Sequence, residues 1–189
     1  MIKTFARSAA LALAIIAAPT VALSASDSMM PVMVGGAKML PTRNIIENAV
    51  NSKDHTTLVA AVKAAGLVET LSGPGPFTVF APVNMAFAAL PAGTVDTLLK
   101  PENKGQLVKI LTGHVVSGSL SAADLMTKIK ANGGSYNMQA VSGDALTAKI
   151  RNGHIYIFDE TGGAAKISIS DVNQSNGVIH VVEKVLLPK

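Results

Sequence analysis

Along the chain, apolar positions fall first at helical spacing and later at strand spacing. Leu58, Val62 and Ala65 lie on one helical face ahead of Gly66, which predicts a helix from Asp54 with a glycine stop. Just upstream, Asn44 precedes Glu47 by three residues, the spacing of a capping box, before Ile45, Ile46, Ala49 and Val50. Pro101 suits the first turn of a helix carrying Leu107, Ile110 and Leu111 inward, and Ser121 with Asp124 marks another helix start. From Ser135 the period shortens: "SYNMQAV", "ALTAKIR", "HIYIFD", "AKISI" and "VIHVVEKVLL" read as strands, and Asn152-Gly153 joins two of them with the pair a type I′ turn requires.

Two stretches do not alternate. Phe77 to Phe80 and the last strand are continuously apolar, which suits strands buried on both faces and predicts that they are central neighbours. Pro82 then ends the early strand by withholding a donor, and Asn84 is expected to cap a helix carrying Phe87 and Leu90. Residues 26–41 show neither period and contain Gly35, Gly36 and two prolines, which reads as a flexible leader. A helical first part and an antiparallel second part imply an α+β domain over residues 42–189. The predicted core includes Phe77, Val79, Phe87, Ile110, Val178, Ile179 and Val181.

The N-terminus changes the picture of where this domain works. Lys3 and Arg7 precede an uncharged run with small residues at Ala22, Ser24 and Ala25, the layout of a signal peptide over residues 1–25 cut near Ser26. Export to the periplasm, cell surface or medium follows as the expectation. Loss of Lys3 and Arg7 lowers the net charge from +4 to +2. With the lysines scattered in sequence and few aromatics, nucleic acid is not an expected partner. The chain has no cysteine, so about 160 residues must be stabilised by their core alone.

"GPFTVFAPVNMAFAALP" resembles the first signature segment of fasciclin (FAS1) domains, "SNGVIHVVEKVLLP" the second, and "LVKILTGHVVSG" the middle segment. The resemblance runs from about Thr42 to Pro188. It implies a β-wedge of about seven strands with a helical layer. It also implies a small secreted bacterial protein acting as an extracellular adhesion or interaction module, with a protein or matrix component as partner. In receptor-binding members an Asp with a following aliphatic residue and a Tyr-His pair carry the contact. Asp171-Val172 matches the first, and His114 matches the histidine of the second. Gly113 stands in place of the tyrosine, removing an aromatic anchor, so a weaker contact or another partner is expected.

Chemistry finds little support. No two of His55, His114, His154 and His180 share a metal-binding spacing, and His114 and His180 stand in apolar runs where a hydrogen-bonded core histidine is the simpler reading. There is no G-x-S-x-G elbow and no phosphate loop, so no enzyme and no cofactor are expected. Met29, Met30, Met33 and Met39 form a thioether cluster that could take Cu(I) or simply fill space. The alternative to an adhesion module is a carrier holding an apolar or lipid ligand between helices and sheet, which needs a cavity of several hundred Å³.

Overall fold

The structure, a computed structural model, describes residues 31–189. The expected signal segment, with Met29 and Met30, lies outside the described residues. Seven strands form one mixed sheet: β3 (Phe77–Pro82), β4 (Val115–Ser117), β5 (Ser135–Gln139), β6 (Ala145–Arg151), β7 (His154–Phe158), β8 (Ala164–Gln174) and β9 (Gly177–Val182). Their order is β4-β3-β9-β8-β7-β6-β5, and a single bridge from Val116 to Ala140 brings the two ends together, leaving the sheet nearly closed. The α+β wedge of seven strands stands as expected.

The continuously apolar strands are indeed neighbours. β3 and β9 pair in parallel, with Val79 opposite Ile179 and Phe80 opposite His180. Val79, Ala81, Ile179 and Val181 enter one core, while Phe80 and Val182 enter a second on the other face. The first core lies under α1 (Ile45–Ala49), α2 (Thr56–Ala65), α3 (Val68–Ser72), α4 (Asn84–Ala88), α5 (Thr94–Leu98) and α6 (Lys104–Thr112). The second is closed by α7 (Ala122–Ala131), whose Leu125 and Ile129 meet Leu146 and Ile157. Of the predicted core, Phe77 alone is only partly buried.

Local signals account for most boundaries. Both capping boxes close, Asn44 with Glu47 and Ser121 with Asp124, and Gly66 ends α2 at φ 74°. Asn152 and Gly153, at φ 50° and 77°, make the β6–β7 turn.

Residues 32–39 differ from the flexible leader expected. They form a hairpin of β1 (Val32–Val34) and β2 (Ala37–Met39), with Val34 and Met39 buried in the first core. Gly35 and Gly36 turn it at φ 57° and 78°, and a Cβ on Gly35 would collide with Ser52 and the Asp54 backbone. Three-residue strands are too short to show a period, although Gly-Gly is itself a hairpin signal. Met33 is exposed on the opposite face of the hairpin from Met39, so these two thioethers do not converge.

Candidate functional site

The residues singled out by sequence fall into three environments. His114 follows α6 and is 2% exposed. Its Nε2 accepts the Leu186 N–H at 2.9 Å, which leaves the proton on Nδ1 to be donated to the Ile110 carbonyl at 2.8 Å. Burial pushes its pKa down to about 4, against a smaller upward pull from the Ile110 carbonyl. A neutral imidazole thus ties the C-terminal segment to α6. It is no surface contact, contrary to the partner role the resemblance implied.

Val172 is corrected in the same way, being 1% exposed and packed in the first core with Val79 and Ile179. The dipeptide splits because successive strand residues point to opposite faces, so Val172 enters the core and Asp171 does not, and the register shift between Ile169 and Val172 leaves Asp171 at φ 57°. Asp171 Oδ1 accepts the Ala122 N–H at 2.7 Å, at the start of α7, and its own N–H reaches His180 Nδ1 at 3.3 Å. His180 Nε2 donates to the Leu120 carbonyl at 2.8 Å, and the ring stacks on Phe80 at 5.8 Å. Burial lowers the His180 pKa, so this ring is also neutral. Asp171, His180 and Leu120 therefore lock β8, β9 and α7 together, leaving Asp171 the one contact position of the three with solvent access.

Asn84 is structural, but not as the cap of its own helix. Its Oδ1 accepts from Thr57 N at 3.0 Å and Thr56 Oγ1 at 3.2 Å, while Nδ2 donates to the Lys53 carbonyl at 2.8 Å. It caps α2, whose Thr57 lies 27 residues upstream, and Pro82 delivers it there by ending β3. Phe87 packs beneath it in the first core.

His55 is buried beside α2, its Nδ1 2.9 Å from Ser52 Oγ, and its Nε2 has no hydrogen-bond partner among the described residues. Burial lowers its pKa as well. Among the described residues no three His, Asp or Glu side chains converge to hold a metal, and no helix is long and apolar enough to cross a membrane.

An apolar cavity of about 50 Å³ lies between α2, the β1–β2 hairpin and the sheet, lined by Val34, Met39, Leu58, Val62, Val79 and His55. A larger open hollow of about 500 Å³ is lined by Pro74, Pro76, Ser175 and Asn176. Asn176 is committed to structure there: Oδ1 takes the Ile45 N–H at 3.0 Å and Nδ2 donates to the Leu71 and Gly73 carbonyls at 2.9 and 3.0 Å. Gly113 borders a hollow of about 10 Å³ with Asp144, Asp159 and Glu160.

Sequence reasoning missed a group on the outer sheet. Lys149 Nζ and the Arg151 guanidinium lie 5.3 and 4.5 Å from the centre of the Phe158 ring. Scattered in sequence, these cations are gathered by strand pairing, which the Asn152-Gly153 turn already encodes.

The comparisons follow the same lines. The fasciclin domain family matches residues 53–188. The chain is 47% identical over 171 residues to the protein sll1483 of Synechocystis, covering 90% of this chain and 88% of that one. It is 31% identical over 170 residues to immunogenic protein MPB70 of Mycobacterium bovis, covering 87% and 78%. Against the transforming growth factor-beta-induced protein ig-h3 of Sus scrofa it is 32% identical over 148 residues, covering 78% of this chain but 20% of the relative. In fold it is similar to a FAS1 domain pair of the insect cell adhesion molecule fasciclin I, with a TM-score of 0.69, 17% identity, and coverage of 78% of this chain and 52% of the other. The signature segments that pair β3 with β9 are thus part of a match over most of the chain, which belongs to the fasciclin family.

Proposed function

We propose that the chain is an exported, non-catalytic binding module acting in adhesion or interaction at or beyond the cell surface. The observation that carries this reading is that the residues available for chemistry are used to hold the fold. His114 and His180 are buried, neutral and hydrogen-bonded through both ring nitrogens. His55 is buried against Ser52. None stands beside a nucleophile in an open cleft, the arrangement acid–base or nucleophilic catalysis needs. The adhesion role of a protein of the same fold supports the choice of binding over turnover.

The apolar-carrier alternative has less support, since a cavity of about 50 Å³ falls well short of the several hundred Å³ that ligand pockets occupy. Adhesion of the purified protein to its own cells and matrix tests the module reading, with Asp171→Asn as the variant. Asparagine tolerates positive φ and keeps the acceptor for Ala122, so a loss of adhesion at unchanged melting temperature assigns Asp171 to the contact. Absence of wild-type adhesion to either preparation overturns the reading. Export is checked by N-terminal sequencing of secreted material, where a start near Ser26 is expected and Met1 contradicts it.

A further inference from the structure

With His114 and Val172 inside the protein, Asp171 is the one position of the three that can touch a partner, which is too little for a surface by itself. The β6–β7 register sets Arg151 opposite His154, Lys149 opposite Tyr156 and Thr147 opposite Phe158, and Tyr156 faces Lys166 on β8. Facing residues share one side of a sheet and alternate residues return to it. Lys149, Arg151, His154, Tyr156, Phe158 and Lys166 therefore stand on one face, while Leu146, Ala148, Ile155 and Ile157 are buried on the other. Arg151 and His154 are exposed and the rest half-buried.

Among the described residues none of these cations closes an ion pair within 4.0 Å of a carboxylate. Lys149 and Arg151 rest on Phe158, and among the described residues the one ion pair within 4.0 Å is elsewhere, between Lys109 and Asp144. Asp159 instead accepts from Thr161, Gly163 and Leu187, and Glu160 accepts from Ala145 N. Glu183 pairs its backbone with Lys166 but its carboxylate does not close on the ammonium.

We propose that this face binds an anionic polysaccharide bearing carboxylate or sulfate groups. The proposal rests on the module reading above and names the chemistry of its partner. A chain laid across the strands meets Lys149, Tyr156 and Lys166 in turn, over two strand spacings or about 10 Å. Unpaired cations supply the charge complementarity, and a flat face suits an extended polymer. A protein partner would look for a pocket or an apolar anchor, and the exposed large apolar side chains Met33, Val50, Met85, Met126 and Val141 are all off this face. Their absence here equally disfavours insertion into a bilayer. Single-stranded nucleic acid stacks successive bases on several open rings, whereas on this face Phe158 is covered by Lys149 and Arg151 and Tyr156 is left alone.

The test is retention of the full chain on immobilised heparin and polygalacturonate, with dextran and single-stranded DNA as further arms. A Lys149→Gln/Arg151→Gln/Lys166→Gln variant is compared with a charge-matched Lys63→Gln/Lys100→Gln/Lys104→Gln variant, whose lysines are exposed on the helical layer. Salt-sensitive wild-type retention on one or both polyanionic sugars is expected, weakened about tenfold by the sheet triple and little changed by the control. Tyr156→Ala should weaken it at constant charge. Equal losses from both triples reveal plain ion exchange and overturn the proposal, as does tighter retention on DNA or no retention on either sugar. If the sheet triple still adheres to cells like wild type, this surface is wrong while the module reading survives. If wild type adheres to neither cells nor matrix, the module reading falls as well.

Discussion

The central strands and the outer hairpin of this sheet are made by the same backbone pairing, yet they do opposite jobs. β3 and β9 bury both faces, so Phe80 and His180 stack at 0% exposure and even their polar groups are held by backbone. β6 and β7 bury one face only and give the other to cations and half-buried rings. The contrast separates what residues of one type can do. A histidine in the centre is a neutral peg, while His154 at the hairpin turn is exposed beside Arg151. Family resemblance points toward the centre for contact residues, but the faces available to a partner lie at the outside.

A matched pair of substitutions tests this most severely. Phe80→Ala should cost about 3–5 kcal/mol, because it empties a fully enclosed site between β9 and α7. Phe158→Ala, on a ring only half-buried, should cost about 1 kcal/mol. Urea unfolding midpoints decide it, and equal losses would erase the distinction between the two regions.

Acid should act through the centre and the helical layer rather than the outer face. The buried histidines have folded-state pKa values below their unfolded value, so the unfolded chain binds protons first as pH falls. Their contribution is complete above the unfolded pKa of 6.5 and is lost as pH drops toward about 4, the folded value of His114. For His114 alone the loss is on the order of 3 kcal/mol. Stability measured at pH 7.5 and pH 4.5 should differ accordingly, and a flat profile would show that these rings are already protonated or exposed.

The regularities legible in the sequence were those enforced by short-range physics. Capping boxes at Asn44 and Ser121, the stop at Gly66 and the Asn152-Gly153 turn each need only a few adjacent residues, and the structure closes all of them. That β3 and β9 are neighbours was legible because two unbroken apolar runs in one domain have few other ways to be covered, whereas their parallel direction was not. What stayed hidden depended on residues far apart. Asn84 caps α2 rather than its own helix because the chain crosses that N-terminus after Pro82, a placement no local spacing reveals. Asp171 and Val172 point apart as successive strand residues do, but the register shift that leaves Asp171 at φ 57° has no fixed sequence mark.

Asn84 offers the next, smaller effect. Asn84→Ala removes the acceptor for Thr57 N and the donor to the Lys53 carbonyl, and should cost about 1 to 2 kcal/mol in the helical layer. Hydrogen exchange should quicken first in the opening turn of α2, leaving β6 and β7 protected. Uniform acceleration would mean that the cap supports the whole domain and that the two regions unfold as one.

The smallest expected change is the sharpest statement of the difference. Lys149→Gln removes a charge resting on Phe158, but the side chain lines no core and closes no ion pair among the described residues. Losing one cation–π contact at the solvated face costs about 0.5 to 1 kcal/mol, and glutamine's remaining stem keeps part of the packing on the ring. The unfolding midpoint should therefore shift within about 0.5 kcal/mol of wild type, the range of surface substitutions. Such a result would leave the residue to be explained by what the face meets rather than by stability. A large destabilisation would show instead that Lys149, Arg151 and Phe158 form a structural clasp over the hairpin, and that the outer strands depend on their exposed side as the central ones depend on both.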